Sequence, residues 1–478
     1  MDTSRRTKIV ATAGPATDPP GVLAEMIRAG VNVMRLNASH GTRDDLQRRL
    51  QRVRDVEAET GLTVGILLDL GGPKIRIEGF REGRVQIEDG QAFTLDTALD
   101  PKAGTVDAVG VAYKNLPRDV AAGDALLLSD GQIVMDVESV EGTRIHCRVR
   151  SGGELSDRKD LNRQGGGISA PALSDKDRDD IRFAAEEKVD YVAVSFARDA
   201  ADIESARTLV RRAGGPAHIV AKIERHEAIA NLAGIIGAAD VIMVARGDLA
   251  VEMGYAELTG LQKTIIHQSR AKNRVVITAT QMMESMIQSP VPTRAEVSDV
   301  ANAVMDGTDA VMLSAESATG RYPVKAVQAM AHVIGGAEKY QLAHTRTRHR
   351  VDGSFQGTEE AIAMAVMYTA NHMKVRAIVA LTESGATPLW MSRIRSDIPI
   401  FAFTRHGETR RRVTLYRGVY PVVFDVESPL TVDRLYDFIF ARLLELDLVK
   451  RGDLVILTKG ELYGVQGGTN SMQILKVA

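Results

Sequence analysis

The 478-residue chain balances 60 basic against 62 acidic side chains, and a net charge of −2 excludes a global field for nucleic acid or an anionic membrane. This length exceeds what one hydrophobic core supports, and 44% apolar with 26% charged residues excludes default disorder, so two or three folded domains are expected. Cys147 is the single cysteine; it excludes an internal disulfide, reads as a small buried hydrophobe, and fits a reducing compartment.

At the N-terminus, Met1 to Lys8 is polar and basic without a signal-type apolar core, and no later stretch approaches roughly 18 apolar residues. The expectation is a soluble, cytoplasmic protein. From Lys8 onward, short apolar runs that end in polar residues alternate with amphipathic helical stretches. The predicted strands are 8–12, 31–37, 63–69, 191–196, 218–224, 241–245, 275–280 and 310–314. Helices are predicted at 46–59, 174–187, 201–212 and 258–272, with Ser174 and Asp177 as a capping box and Gly30 and Gly61 as C′ residues. Eight such strands are the count that closes a (β/α)8 TIM barrel, although an open doubly wound sheet shows the same local rhythm.

Between the third and fourth runs the period changes to alternation, at 84–88, 92–95, 133–137 and 144–149. Turn signals punctuate it at Asp89-Gly90, Asp130-Gly131 and Glu141-Gly142. After the eighth run, a helical stretch at 323–339 leads to the basic segment 344–353, with Arg346, Arg348 and Arg350, which reads as a solvated linker rather than a polyanion patch. Apolar runs at 377–381, 399–403, 420–424 and 454–457 then alternate again with helical stretches. The expected fold is therefore α/β: a (β/α)8 TIM barrel over 1–70 and 166–343, an inserted small β-barrel domain over 71–165, and a C-terminal α/β domain over 354–478.

In such a barrel the working residues sit where strands end. The strand ends supply Arg35, Asn37, Ser39 and His40, then Asp69, Lys222 and Glu224, Arg246, Gly247 and Asp248, Thr280 and Glu316. Glu224 and Asp248 on neighbouring strands suit magnesium bound to a phosphorylated substrate, with an ordinary salt-bridge role as the alternative. Lys222 favours the site: it shares strand parity with Glu224, and its charge suits a transferring phosphoryl group. There is no P-loop, and the Gly165–Ala170 run opens no helix before Pro171, so it is not a dinucleotide motif.

Several long motifs resemble pyruvate kinases: KIVAT at Lys8, NVMRLNASHG at Asn32, AKIE at Ala221, MVARGDL at Met243, TATQMMESM at Thr278 and PTRAEVSDVANA at Pro292. The resemblance runs from Thr7 to near the C-terminus and implies transfer of the phosphoryl group of phosphoenolpyruvate to ADP, giving pyruvate and ATP. It implies magnesium, with manganese as an alternative, on Glu224 and Asp248. Lys222 would stabilise the migrating phosphoryl group and the enolate, and Thr280 would lie near the proton-delivery route. Arg35 and Arg76 would grip phosphates, Asn37 and His40 would line the nucleotide side, and the backbone of Ala245, Arg246, Gly247 and Asp248 would hold the substrate carboxylate. Lys159 would be the nucleotide-binding lysine of the inserted domain, which would close as a lid.

One motif departs from the family. Where DTKGPEIR is usual, this chain reads Asp69-Leu70-Gly71-Gly72-Pro73-Lys74-Ile75-Arg76. Asn37, Ser39 and Asp69 of the potassium position remain, Leu70 offers only its carbonyl, and Lys74 replaces a glutamate. A tethered ammonium at ~4 Å and an effective dielectric of ~20 is worth roughly 4 kcal/mol, so activity without potassium is expected.

The loop Thr382-Glu383-Ser384-Gly385-Ala386-Thr387-Pro388 resembles the family's site for phosphorylated effectors such as a sugar phosphate or AMP. The hydroxyls of Thr382, Ser384 and Thr387 and the backbone of Gly385 are its candidate contacts; a simple helix cap is the alternative, with Ala386 standing where many relatives carry arginine. A homotetramer, assembled partly through the C-terminal domain, is the family expectation. The rival readings are a magnesium-dependent lyase or aldolase acting on pyruvate-like acids, and a catalytically silent relative.

Overall fold

Burial along each barrel strand has a period of two, and that period sorts the residues into an inside and an outside. Val10, Val33, Leu67, Val220, Met243 and Ile277 belong to a core inside the barrel, whereas Ile9, Met34, Ile66, Ile219, Ile242 and Val276 pack against the surrounding helices. The structure is a computed structural model that describes residues 3–129, 131–344, 355, 357–424, 432–460 and 468–478.

The strands Lys8–Thr12, Val33–Asn37, Gly65–Asp69, Tyr191–Val194, His218–Ile223, Val241–Ala245, Val275–Ala279 and Ala310–Leu313 close into one barrel, every neighbouring pair parallel. All eight predicted strands are present and the open doubly wound alternative is excluded. Four end one or two residues earlier than predicted, two of them where the chain turns with positive φ at Phe196 (56°) and Thr280 (66°). The predicted helices also form, as Arg43–Thr60, Asp175–Glu186, Ala200–Arg212 and Leu258–Ala271. Ser174 caps the second through a reciprocal bond with Asp177, and Gly61 takes the left-handed conformation at the C-cap of the first.

The insertion leaves the barrel after Asp69. It forms a six-stranded sheet and a two-stranded ribbon over one core, joined by isolated bridges at Arg76, Ile77 and Phe80. The four alternating runs are strands, and the Glu141-Gly142 signal marks a hairpin in which Glu141 pairs with Arg144. Four further strands were not predicted: Ala108–Gly110, Ala125–Leu128, Gly153–Ser156 and Leu161–Arg163. They are three or four residues long, and Leu126 to Leu128 are buried in succession, so no alternation marks them. Cys147 is buried in this core and its thiol is pushed up to about 12, first by burial, in keeping with an inert packing residue.

The helix Pro323–His344 ends the barrel, and the predicted linker beyond His344, like Asp130, lies outside the described residues. The C-terminal sheet runs Val419–Val423, Ile400–Thr404, Ala377–Leu381, Leu454–Gly460, Thr469–Lys476, with only the last strand antiparallel. That last strand was missed, since its burial is irregular rather than alternating.

The barrel interior and this domain share one core, joining Val10 and Ala310 to Val366 and Ile378. At the same junction the buried Lys8 donates to the Val419 carbonyl (2.6 Å) and stacks over Tyr420; burial first, then Arg5, pulls its pKa down to about 7. Among the described residues no helix is long and apolar enough to cross a membrane.

Candidate active site

Above the apolar layers, the same inward parity brings polar residues to the upper end of the barrel. Lys222 and Glu224 follow Val220 on the fifth strand, Asp69 follows Leu67 on the third, and Arg35 follows Val33 on the second. The ammonium of Lys222 lies 2.7 Å from Glu224 Oε1 and 3.4 Å from Asp69 Oδ1, and donates to Ser195 Oγ at 2.7 Å. Arg35 Nε donates to the other Asp69 oxygen at 2.7 Å, and Arg35 Nη1 donates to Thr12 Oγ1 at 3.0 Å. Burial alone would neutralise Lys222, but Asp69 and then Glu224 outweigh it and raise its pKa, so the lysine stays charged.

Glu224 is 1% exposed and its Oε2 accepts the Phe196 N–H at 2.6 Å. Its Oε1 meets Lys222 as an ion pair without a well-aligned hydrogen bond. Burial pushes the Glu224 pKa up; Lys222 opposes this and the neighbouring Asp248 adds to it. Two carboxylates that repel one another, one with a buried oxygen held only by the Lys222 ion pair, form the kind of donor set that a hard divalent cation satisfies.

Asp248 lies in the first turn of the helix Arg246–Met253, where backbone N–H groups lack intrahelical acceptors and the helix end suits an anion. Gly247 N donates to Thr280 Oγ1 at 2.8 Å, and Thr280 in turn donates to the Ala279 carbonyl. Thr280 and Gln281 both hold positive φ, unfavourable for a β-branched residue above all, and such strain is kept where the surroundings enforce it. The Arg246 side chain turns away, paired with Asp299 at 2.7 Å and donating to the Thr280 carbonyl, so only its backbone remains for substrate. Glu316 is likewise committed, accepting the N–H groups of Met283 and Ser314.

On the side expected to face the nucleotide, His40 is held below its ordinary pKa by burial and then by Lys74, Arg76 and Arg35, which marks a crowded cationic rim. Asn37 Oδ1 accepts the Ser39 N–H, and the Leu70 carbonyl accepts from Ser195 Oγ at 2.8 Å. Lys74 is exposed, its ammonium 6.0 Å from the Phe196 ring centre. Arg76 bridges Asp160, and the neighbouring Lys159 carbonyl accepts from Ile77. Lys74, Asp160, Asn162, Arg225 and Asp248 enclose only ≈ 20 Å³ between insertion and barrel.

Sequence reasoning missed the residues that tie this mouth to the insertion. Ser195 continues the inward parity of Ala193, a signal that was present. Gly72, where the chain leaves the barrel, has φ 65° and donates to Asp177 Oδ1; a Cβ there would sit 2.8 Å from Ser195 Cβ. At the return, Gly167 donates to Glu227 Oε1 at 2.6 Å and the Ile168 carbonyl accepts from Arg225. Arg225 lies 3.8 Å from Glu252, whose carboxyl burial pushes up to about 7.

In the C-terminal domain, Thr382 Oγ1 accepts the Gly385 N–H (2.9 Å), Ser384 Oγ accepts the Ala386 N–H, and Thr387 Oγ1 is buried against Thr469. Glu383 pairs with His406 and Arg405. The Thr382 and Ser384 hydroxyls thus meet N–H groups where the helix Ala386–Ser392 begins, beside a cleft of ≈ 790 Å³ that Arg405 and Arg412 also line.

The fold and this cluster define a TIM-barrel enzyme whose mouth is built for an anionic substrate. Two family models extend the match across the chain: the pyruvate kinase barrel domain over residues 4–327 and the pyruvate kinase alpha/beta domain over residues 360–475. The chain belongs to the pyruvate kinase family and is a phosphotransferase. It is 51% identical to pyruvate kinase II of Salmonella typhimurium over 99% of each chain, and 52% identical to the pyruvate kinase of Haemophilus influenzae over 95% of this chain and 96% of the relative. The crystal structure of a pyruvate kinase from Cryptosporidium parvum superposes with a TM-score of 0.91 at 33% identity, covering 100% of this chain and 97% of that one.

Proposed function

We propose that this chain moves the phosphoryl group of phosphoenolpyruvate to ADP with magnesium on Glu224 and Asp248, and without potassium. The observation that carries the reading is the buried Lys222 ammonium between Asp69 and Glu224, with Glu224 Oε1 held only by that ion pair. When bound, magnesium, or manganese in its place, would neutralise the charge on the phosphoryl oxygens.

The chain's own groups supply the rest. The Asp248 N–H receives the substrate carboxylate, joined by the Gly247 N–H once it leaves Thr280 Oγ1, and Lys222 faces the phosphoryl group and the enolate oxygen. Arg35 and Arg76 hold phosphate charge, with Asn37, His40 and Lys159 toward the nucleotide. The P–O bond to the enol oxygen breaks as the bond to the ADP β-phosphate forms, and the enolate methylene takes a proton on the side of Thr280. The insertion acts as a lid that opens to admit substrates and closes over them to exclude water.

Potassium independence is supported by the occupancy of two of its four expected ligands: Asp69 is taken by Arg35 and Lys222, and the Leu70 carbonyl accepts from Ser195. The exposed Lys74 adds a mobile positive charge at the same rim. A cytoplasmic homotetramer is the accompanying expectation. For a phosphorylated effector at Thr382, Ser384, Gly385 and Thr387, the adjoining arginine-lined cleft is the favourable observation. Calorimetry with sugar phosphates and AMP tests it, and silence from both leaves only the cap.

The deciding assay is ADP-dependent pyruvate formation from phosphoenolpyruvate with magnesium present or removed. Turnover that requires magnesium supports the reading, and turnover indifferent to chelation sinks the metal assignment.

A further inference from the structure

We propose that the junction of the barrel base and the C-terminal domain is a binding site for a small oxyanion, a phosphate or a group of that size and charge. The site is a cavity of ≈ 100 Å³ whose lining includes Arg6, Arg270, Arg395 and Arg417, with Asp397 among the same residues. It lies at the end of the barrel where Lys8 begins the first strand, opposite the mouth. Nothing in the phosphoryl-transfer chemistry uses it.

The charge balance points to an anion. Arg270 gives its hydrogen bonds to the carbonyls of Gly307 (2.7 Å) and Arg393 (2.9 Å), and Arg395 donates to the Met305 carbonyl (3.1 Å). These neutral acceptors satisfy donors without neutralising charge. Arg417 is 9% exposed; its Nη2 donates to Gln341 Oε1 at 3.2 Å, and its buried Nη1 has no partner.

The carboxylates that face the group are already engaged. Glu338 receives the N–H groups of Arg6 and Thr7 and lies 3.6 Å from Arg417, and Asp309 is gripped by Arg393. Asp306 is held by Lys263 and Gln262, and Asp397 sits exposed at the rim. Buried positive charge therefore exceeds buried negative charge. In line with this, burial and then the neighbouring Arg393 bring Arg270 down to about 9. A desolvated cation with an unmade hydrogen bond is unfavourable unless an anion or water meets it.

Size narrows the ligand. At about 30 Å³ per water, the cavity holds roughly three waters or one tetrahedral oxyanion. The ligand that this space and charge suit is inorganic phosphate or a single phosphoryl group inserted from the rim.

The test is calorimetric titration of the full chain with inorganic phosphate at constant ionic strength. Wild type is compared with Arg417→Gln, Arg395→Gln and the mouth variant Arg35→Gln. Saturable binding should survive in Arg35→Gln and weaken about tenfold or more in each cavity variant, as loss of one ionic hydrogen bond implies. If Arg417→Gln does not fold, the partly exposed Arg395 still decides the matter. Adding glucose 6-phosphate to phosphate-loaded Arg35→Gln separates the sources: displacement identifies a phosphoryl group on an organic carrier, no displacement identifies the free ion, and either supports the site. Binding that Arg35→Gln abolishes while Arg395→Gln leaves it intact, or binding that never saturates, overturns the proposal.

Discussion

Replacing Lys222 by methionine removes the ammonium that lies 2.7 Å from Glu224 and 3.4 Å from Asp69. At an effective dielectric of ~20, those separations correspond to attractions of about 6 and 5 kcal/mol. Desolvation of the lysine opposes them, Arg35 still neutralises Asp69, and Glu224 escapes by protonation, so the net loss of stability is expected at about 3 kcal/mol in metal-free protein. The chemical step loses a preorganised cation at the developing charge, and kcat should fall by about 10³ with KM for ADP little changed. The pH profile gives an independent readout. Lys222 lowers the Glu224 pKa, so without it Glu224 keeps its proton to higher pH, and the acid limb of kcat/KM should move upward. Pyruvate formation followed across pH 5 to 9 (about neutral ± two units) measures both effects. A kcat within tenfold of wild type, or an acid limb displaced downward, would refute the assignment of Lys222.

Three further outcomes follow from the same geometry. Wild-type initial rates with magnesium should agree within about twofold between potassium and tetramethylammonium salts, and Lys74→Glu should gain potassium activation of about tenfold, the effect of one local charge worth ~1.4 kcal/mol; strong potassium activation of the wild type contradicts this. Glu227→Gln weakens the charged acceptor that holds Gly167, a bond worth roughly 1.5–3 kcal/mol, so limited proteolysis at 165–167 should accelerate and KM for ADP should rise more than kcat falls. Unchanged cleavage would count against a hinge anchor. For Lys8, the folded pKa of about 7 lies below the unfolded value near 10.5, so the unfolded chain binds more protons between them and stability rises with pH across that window. The slope, at most ~1.4 kcal/mol per pH unit, should flatten in Lys8→Met as read by denaturant melts, and an unaltered slope would place the titration elsewhere.

The barrel was legible because its signal is local and repeated. Each strand is a short apolar run ending in polar residues, and errors of one or two residues at Phe196 and Thr280 arise where left-handed turns replace extended backbone. Periodicity carries no information about φ. The inserted sheet was half legible: Ile133–Glu141 and Arg144–Ser151 are long and alternate, whereas Leu161–Arg163 is three residues held mainly by pairing with Ala125–Leu128. Such strands exist because a partner edge is present, which local sequence cannot report.

Within the site, the groups on strand tips were readable from parity, since Lys222 and Glu224 must share a side with Val220. Whether the paired charges had other partners was not. That Asp69 spends one oxygen on Arg35 and approaches Lys222 with the other, and that Ser195 joins Lys222 to the Leu70 carbonyl, depends on three strands meeting. These contacts alter the potassium argument. Lys74, expected to supply a charge in place of an ion, is exposed, while two of the ion's expected ligands, Asp69 and the Leu70 carbonyl, are engaged by Arg35, Lys222 and Ser195. Any monovalent cation would have to displace internal partners as well as meet the charge of Lys74. Lys74→Glu alone is therefore expected to give only partial potassium activation, and Lys74→Glu combined with Leu70→Thr, which restores a side-chain oxygen, should give more; equal activation in the two variants would show that charge alone decides.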